Sequence, residues 1–96
     1  MNELQTRINC IIQILSSELS KANKVTAALQ AFSGLDITHF SSQKKKSVYK
    51  HIATVNSVTA RYPIIKSDKD YEMMTDKDLN KILKSIQQLC LKLLLD

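Results

Sequence analysis

The 96-residue chain holds a single glycine, a single proline, no tryptophan, two phenylalanines and three tyrosines. Two-residue β-hairpins depend on glycine or asparagine at positive φ, and one glycine leaves little material for them. An all-α domain is predicted instead. The chain is too short for two lobes around a buried cleft. It has no glycine-rich phosphate loop and no readable Ser/His/Asp order, so no enzyme is expected. There are two cysteines, Cys10 and Cys90, far apart and each inside an apolar helical run. They read as two buried thiols of an intracellular protein, with one bridge between the first and last helices as the alternative. No Cys-x-x-Cys or His-x-x-x-His pair brings His39 or His51 to a metal, so both histidines are expected in solvent and neither metal nor cofactor is predicted. The series Asp68-x-Asp70-x-Glu72 lacks the glycine and closing glutamate of a calcium loop. With Asp76 and Asp78 these acids alternate with lysines and read as caps and solubilising charge. The longest apolar run, Leu89 to Leu95, is broken by Lys92 and is too short to cross a membrane. Nothing in Met1, Asn2, Glu3 and Gln5 resembles a signal peptide.

What is present is apolar residues, 44 % of the chain, at helical spacing. Leu4, Ile8, Ile11, Ile12, Leu15 and Leu19 define a first helix over 3–19, with Asn2 and Gln5 placed as a capping pair. The stretch from Ser16 to Lys21 competes with helical backbone bonding and predicts fraying or a turn there. A second helix runs from Asn23 to Ser33 on Val25, Ala28, Leu29 and Phe32, with Gly34 as its left-handed C-cap. Asp36 and Thr38 offer a cap for a third segment with Val48, Ile52, Val55, Val58 and Tyr62 on one stripe, and with a break near Ser47. Lys66 to Met74 reads as a polar loop. Thr75 then caps a final helix, Asp78 reaching back, on Leu79, Ile82, Leu83, Ile86, Leu89, Cys90, Leu93 and Leu94. This helix is predicted to be the most buried element of one domain over residues 1–96, a compact bundle of four to five helices.

Function has two footholds. The formal net charge of +5 is a mild basic excess, concentrated at Lys44, Lys45, Lys46 and Lys50 around Tyr49. A solvated helix face is the preferred reading, with nucleic-acid contact weak and non-specific at most. The second foothold is Ala60-Arg61-Tyr62-Pro63-Ile64-Ile65. Pro63 stops the helix and restricts the residue before it, so an aromatic and two β-branched residues meet at a fixed corner. The turn at Ser17-Glu18-Leu19 supplies a carboxylate, and antiparallel helix pairs would put both turns at one end of the bundle. Apolar side chains beside a carboxylate suit a short peptide whose backbone N–H the carboxylate accepts. The competing reading makes Tyr62 the last core residue of its helix.

Leu4-Gln5, Ile11, Leu15, Glu18, Asn23, Ala28-Leu29 and Leu35-x-Ile37-Thr38, followed by Arg61-Tyr62-Pro63-Ile64, resemble the integrase-binding domains of the lens epithelium-derived and hepatoma-derived growth factor-related proteins. These are a branch of the TFIIS N-terminal-like helical domains. The resemblance implies a non-enzymatic docking module of a chromatin-associated, coactivator-like nuclear protein, monomeric and C-terminal in a larger chain. It implies that disordered peptide motifs of nuclear partners bind at the interhelical loops, with Glu18 capping the peptide backbone and Tyr62 and Ile64 clasping its apolar side chains. Arg61 and Ile65 flank that site. This sequence departs from the family in a span from Thr38 to Tyr62 longer by about one helical turn, and in Ser17, which stands where the family has an apolar residue. Two other readings stay open: a basic helical nucleic-acid-binding domain using Lys44, Lys45, Lys46 and Lys50, and a dimerisation bundle using the leucine-rich final helix.

Overall fold

The computed structural model describes residues 3–62 and 68–95, and among them forms four α-helices and one 3₁₀ helix, with no strand. α1 spans Glu3–Leu15, α2 Lys21–Phe32, α3 Ser42–Thr59 and α4 Asp76–Leu95, with the 3₁₀ helix Asp68–Met73 between α3 and α4. The all-α expectation therefore holds. Asn2 lies outside the described residues, and with it the predicted cap of α1.

Several boundaries move for local reasons. α1 ends at Leu15, four residues before the predicted end. There the Ser16 N–H reaches Ile12 O at 3.1 Å and the Ser17 N–H reaches Ile14 O at 3.1 Å, tightening the last turn. Leu19, assigned to the stripe of this helix, thus falls in the turn and is exposed. α2 starts earlier than predicted because Ser20 caps it, its side chain accepting from the Asn23 N–H at 3.2 Å. Gly34 follows at φ +73°, the left-handed conformation expected of it. Asp36 does not cap α3. Its carboxylate accepts the Thr38 N–H at 2.9 Å and the Thr38 hydroxyl, closing a turn of its own. Ser41 is the cap, accepting from the Lys44 N–H at 3.2 Å, and α3 runs unbroken through Ser47. The stretch read as a polar loop contains the 3₁₀ helix, which packs on α2 and lays Tyr71 against the core.

The core is one cluster to which α4 contributes most, with Leu79, Ile82, Ile86, Leu89, Cys90 and Leu93 buried against Ile8 and Ile11 of α1, Val25 and Ala28 of α2, and Val48 and Val58 of α3. α4 packs on each of the other three α-helices. Four side-chain links fix their directions. Arg7 Nη1 donates to Ala31 O at 2.9 Å and Ser33 O at 2.7 Å, so the start of α1 meets the end of α2, and these two helices are antiparallel. A cation on those carbonyls also satisfies acceptors that the helix end leaves free. Lys21 Nζ lies 3.6 Å from Asp76 Oδ2, which puts the start of α2 beside the start of α4. His51 Nδ1 lies 2.8 Å from Ser85 Oγ and Arg61 Nη1 3.1 Å from Asp78 Oδ1, an antiparallel pairing of α3 with α4.

The predicted burial needs correction at several positions, Ile12 of α1 and Leu94 of α4 among them, both exposed despite their place on the apolar stripes. On α3 the inward stripe is Val48, His51, Val55 and Val58, with Tyr62 continuing it beyond the helix end, and Ile52 is exposed. His51, expected in solvent, is buried against Ser85 and the Phe32 ring. Cys90 is a buried thiol as expected, but Cys10 is exposed, because α1 turns Ile8 and Ile11 inward and Cys10 sits on its outer face; both thiols are free.

Candidate functional site

The start of α4 is where the Arg61-Tyr62 corner and the turn between α1 and α2 come to the same end of the bundle. Thr75 caps the helix as predicted, its hydroxyl accepting from the Asp78 N–H at 3.3 Å. The reciprocal half of the capping pair takes an unexpected form. Asp78 does not reach back to the Thr75 N–H. That N–H donates instead to the Tyr62 hydroxyl at 3.3 Å, and the Tyr62 hydroxyl donates to Asp78 Oδ2. The phenol thus bridges the two ends of a capping box, and it arrives from the end of α3. Arg61 adds an ion pair on the other carboxylate oxygen of Asp78.

Asp78 is therefore a buried hub, only 6 % exposed, where solubility and capping were the expected roles. The Tyr62 hydrogen bond, with Arg61 adding to it, holds its carboxyl below the usual aspartate range against the opposing effect of burial. Arg61 keeps more than half of its side chain exposed and Tyr62 is half-buried. Tyr62 packs against the core cluster with its hydroxyl engaged, in keeping with its reading as the last core residue of its segment.

The turn between α1 and α2 sits at this same end, through the Lys21–Asp76 pair. Ser17 stitches it. Its hydroxyl donates to Ile14 O at 2.6 Å and accepts the Leu19 N–H at 3.4 Å, which leaves Glu18 exposed. Glu18 and the Arg61-Tyr62 corner thus share one end of the bundle. Ile64 and Ile65, with Pro63 before them, lie outside the described residues.

The basic cluster is not part of this end. Lys44, Lys45 and Lys46 lie near the start of α3, about 20 Å along the helix from its last residue, Thr59, beyond which Tyr62 follows. Lys44 and Lys45 are half-buried, and Lys44 Nζ stands 5.9 Å from the centre of the Phe40 ring, a cation–π contact that ties it down. Only Lys50 reaches further, joining Arg61 and Lys81 around a shallow depression between α3 and α4. Among the described residues no group of His, Cys, Asp and Glu gathers to hold a metal ion, and no helix is long and apolar enough to cross a membrane.

A second surface lies on the leucine-rich final helix, which the sequence offered only as a dimerisation face. On the flank that α4 shares with α1, a groove of about 540 Å³ is lined by Ile12, Leu15, Leu83, Cys90, Leu91 and Leu94, with Lys24 and Lys84 on it. Ile12, Leu91 and Leu94 are 42 %, 53 % and 48 % exposed. The signal was available: α4 carries more leucines than one core-facing stripe accommodates. Comparison of the chain with protein-family models, with curated proteins and with solved structures finds no match in any of the three.

Proposed function

We propose that the chain is a protein-interaction module of the TFIIS N-terminal-like kind that docks short disordered peptide motifs of nuclear, chromatin-associated proteins at the end of the bundle formed by the Glu18 turn and the Arg61-Tyr62 corner. The observation that carries this reading is that both turns lie at the start of α4, the first marked there by the Lys21–Asp76 pair and the second by the Tyr62–Asp78 hydrogen bond. An exposed carboxylate and the outer part of a fixed aromatic ring then serve one ligand. Glu18 accepts a backbone N–H, and the Tyr62 ring takes an apolar side chain. The hydroxyl of Tyr62 contributes indirectly, by holding the ring at one angle through Asp78 and Thr75. Ile64 enters this reading from the sequence pattern at the Pro63 corner and from the family resemblance. The nuclear setting and the role in transcription rest on that resemblance alone.

The test is capture of partners from nuclear extract, followed by amide chemical-shift mapping of the free chain with the recovered peptide. Perturbations centred on residues 16–20 and 60–62 support the reading. Perturbations centred on the first turn of α3, with nucleic acid recovered in place of peptide, replace it with the basic-domain reading.

A further inference from the structure

Beyond that loop-end site, and independently of it, we infer that the groove between α1 and α4 is a second docking surface, whose occupant is an acidic amphipathic helix of a partner protein. The groove runs along α4 from Asn80 to Leu94, about 21 Å at 1.5 Å per residue, which matches four turns of a bound helix. Its walls are themselves helices, so a third helix lying along them inserts side chains at i, i+3/i+4 and i+7 between ridges already in place. Ile12, Leu91 and Leu94 are the unfilled part of that packing.

Charge selects the occupant. Among the described residues no carboxylate lines the groove, whereas Lys24 and Lys84 do. Among the described residues neither lysine makes an ion pair. In sequence, α1 carries no acid between Leu4 and Leu15, and α4 none between Leu79 and Leu95. A helix with leucines on one face and glutamates on its flanks would bury the first and pair the second. The same charges disfavour a second copy of this chain. A two-fold contact through the groove would set one lysine-bearing rim against another.

The experiment uses the full chain and a fluorescein-labelled designed helix of about sixteen residues, long enough to fill the groove. It carries leucines at i, i+4, i+7 and i+11 and glutamates at the flanking positions, and binding is read by anisotropy at about 0.15 M salt. Ile12→Asp with Leu91→Asp should weaken binding at least about tenfold, with helical circular dichroism unchanged because both sites are exposed. Lys24→Glu with Lys84→Glu should weaken it by about tenfold and restore binding to a peptide whose glutamates are replaced by lysines. Lys45→Glu with Lys46→Glu changes the net charge equally at a distant site and should leave the affinity within about twofold, as should Glu18→Gln, which tests the other surface. No binding of the glutamate peptide, or equal loss with the Lys45/Lys46 variant, overturns the inference. So does a wild-type dimer in sedimentation equilibrium that Ile12→Asp with Leu91→Asp dissociates.

Discussion

The start of α4 and the flank that α4 shares with α1 handle their chemistry in opposite ways. At the start, polar groups meet in a closed set. The buried Asp78 carboxylate takes Tyr62 and Arg61, and the Thr75 N–H takes the Tyr62 oxygen. On the flank, large apolar side chains stay about half exposed, with nothing among the described residues to cover them. The first arrangement fixes geometry, because deleting one partner leaves a buried charged group short of hydrogen bonds. The second contributes little to folding, since those side chains leave much of their area in water. Stability and interaction are therefore lodged in different parts of one helix.

Substitutions along α4 and at its contacts give the contrast numbers. Ile86→Ala empties a fully buried site and should cost about 3 kcal/mol or more in urea unfolding, whereas Leu91→Ala should change stability by less than about 0.5 kcal/mol. A comparable loss at both positions would show that the flank is core after all. Tyr62→Phe keeps the ring and removes the link between Asp78 and Thr75. It should lower Tm by roughly 5–10 °C, and an unchanged Tm would mean that the phenol does not complete the cap.

The smaller effect is a pH dependence on the face of α4 that meets α3. Burial pushes the His51 pKa below its ordinary 6.5, with Ser85 on α4 and the Phe32 ring on α2 against the imidazole. The unfolded chain then takes up a proton that the native state refuses. His51 thus contributes stability that is fully present above about pH 6.5 and declines as the pH falls below it. Thermal melts between about pH 7 and 5 should show Tm falling toward acid, with a shallower slope in His51→Gln. Equal slopes would place His51 in solvent.

Helix existence and type were legible in the sequence because four periodic apolar stripes and one glycine allow little else. Thr75 and Gly34 were legible too, since each satisfies a local requirement that composition alone exposes. What could not be read depends on contacts between distant segments. The Tyr62 hydroxyl displaces Asp78 from its local capping bond across sixteen positions, and Arg7 satisfies carbonyls of α2 more than twenty positions away. On α3, periodicity admits either His51 or Ile52 on the inward stripe, and packing against Phe32 and Ser85 selects the histidine. Of the candidate site, the joining of the Glu18 turn and the Tyr62 corner was legible from the expected antiparallel pairing. The groove was legible only as a leucine excess on the final helix, because which of its leucines stay exposed beside Ile12 depends on the packing of α1 on α4.

The central claim, that the end of the bundle docks a peptide, is tested most directly at Glu18. The residue is exposed and makes no ion pair among the described residues, so Glu18→Gln removes charge without removing a structural contact. Calorimetric titration of wild type and Glu18→Gln with the peptide recovered from nuclear extract should show affinity falling by roughly 1–3 kcal/mol, the worth of a charge-assisted hydrogen bond to a backbone N–H. Thermal melts of the two free domains should coincide within about 2 °C. Equal affinities of the two proteins for that peptide would contradict the account and remove Glu18 from the binding surface.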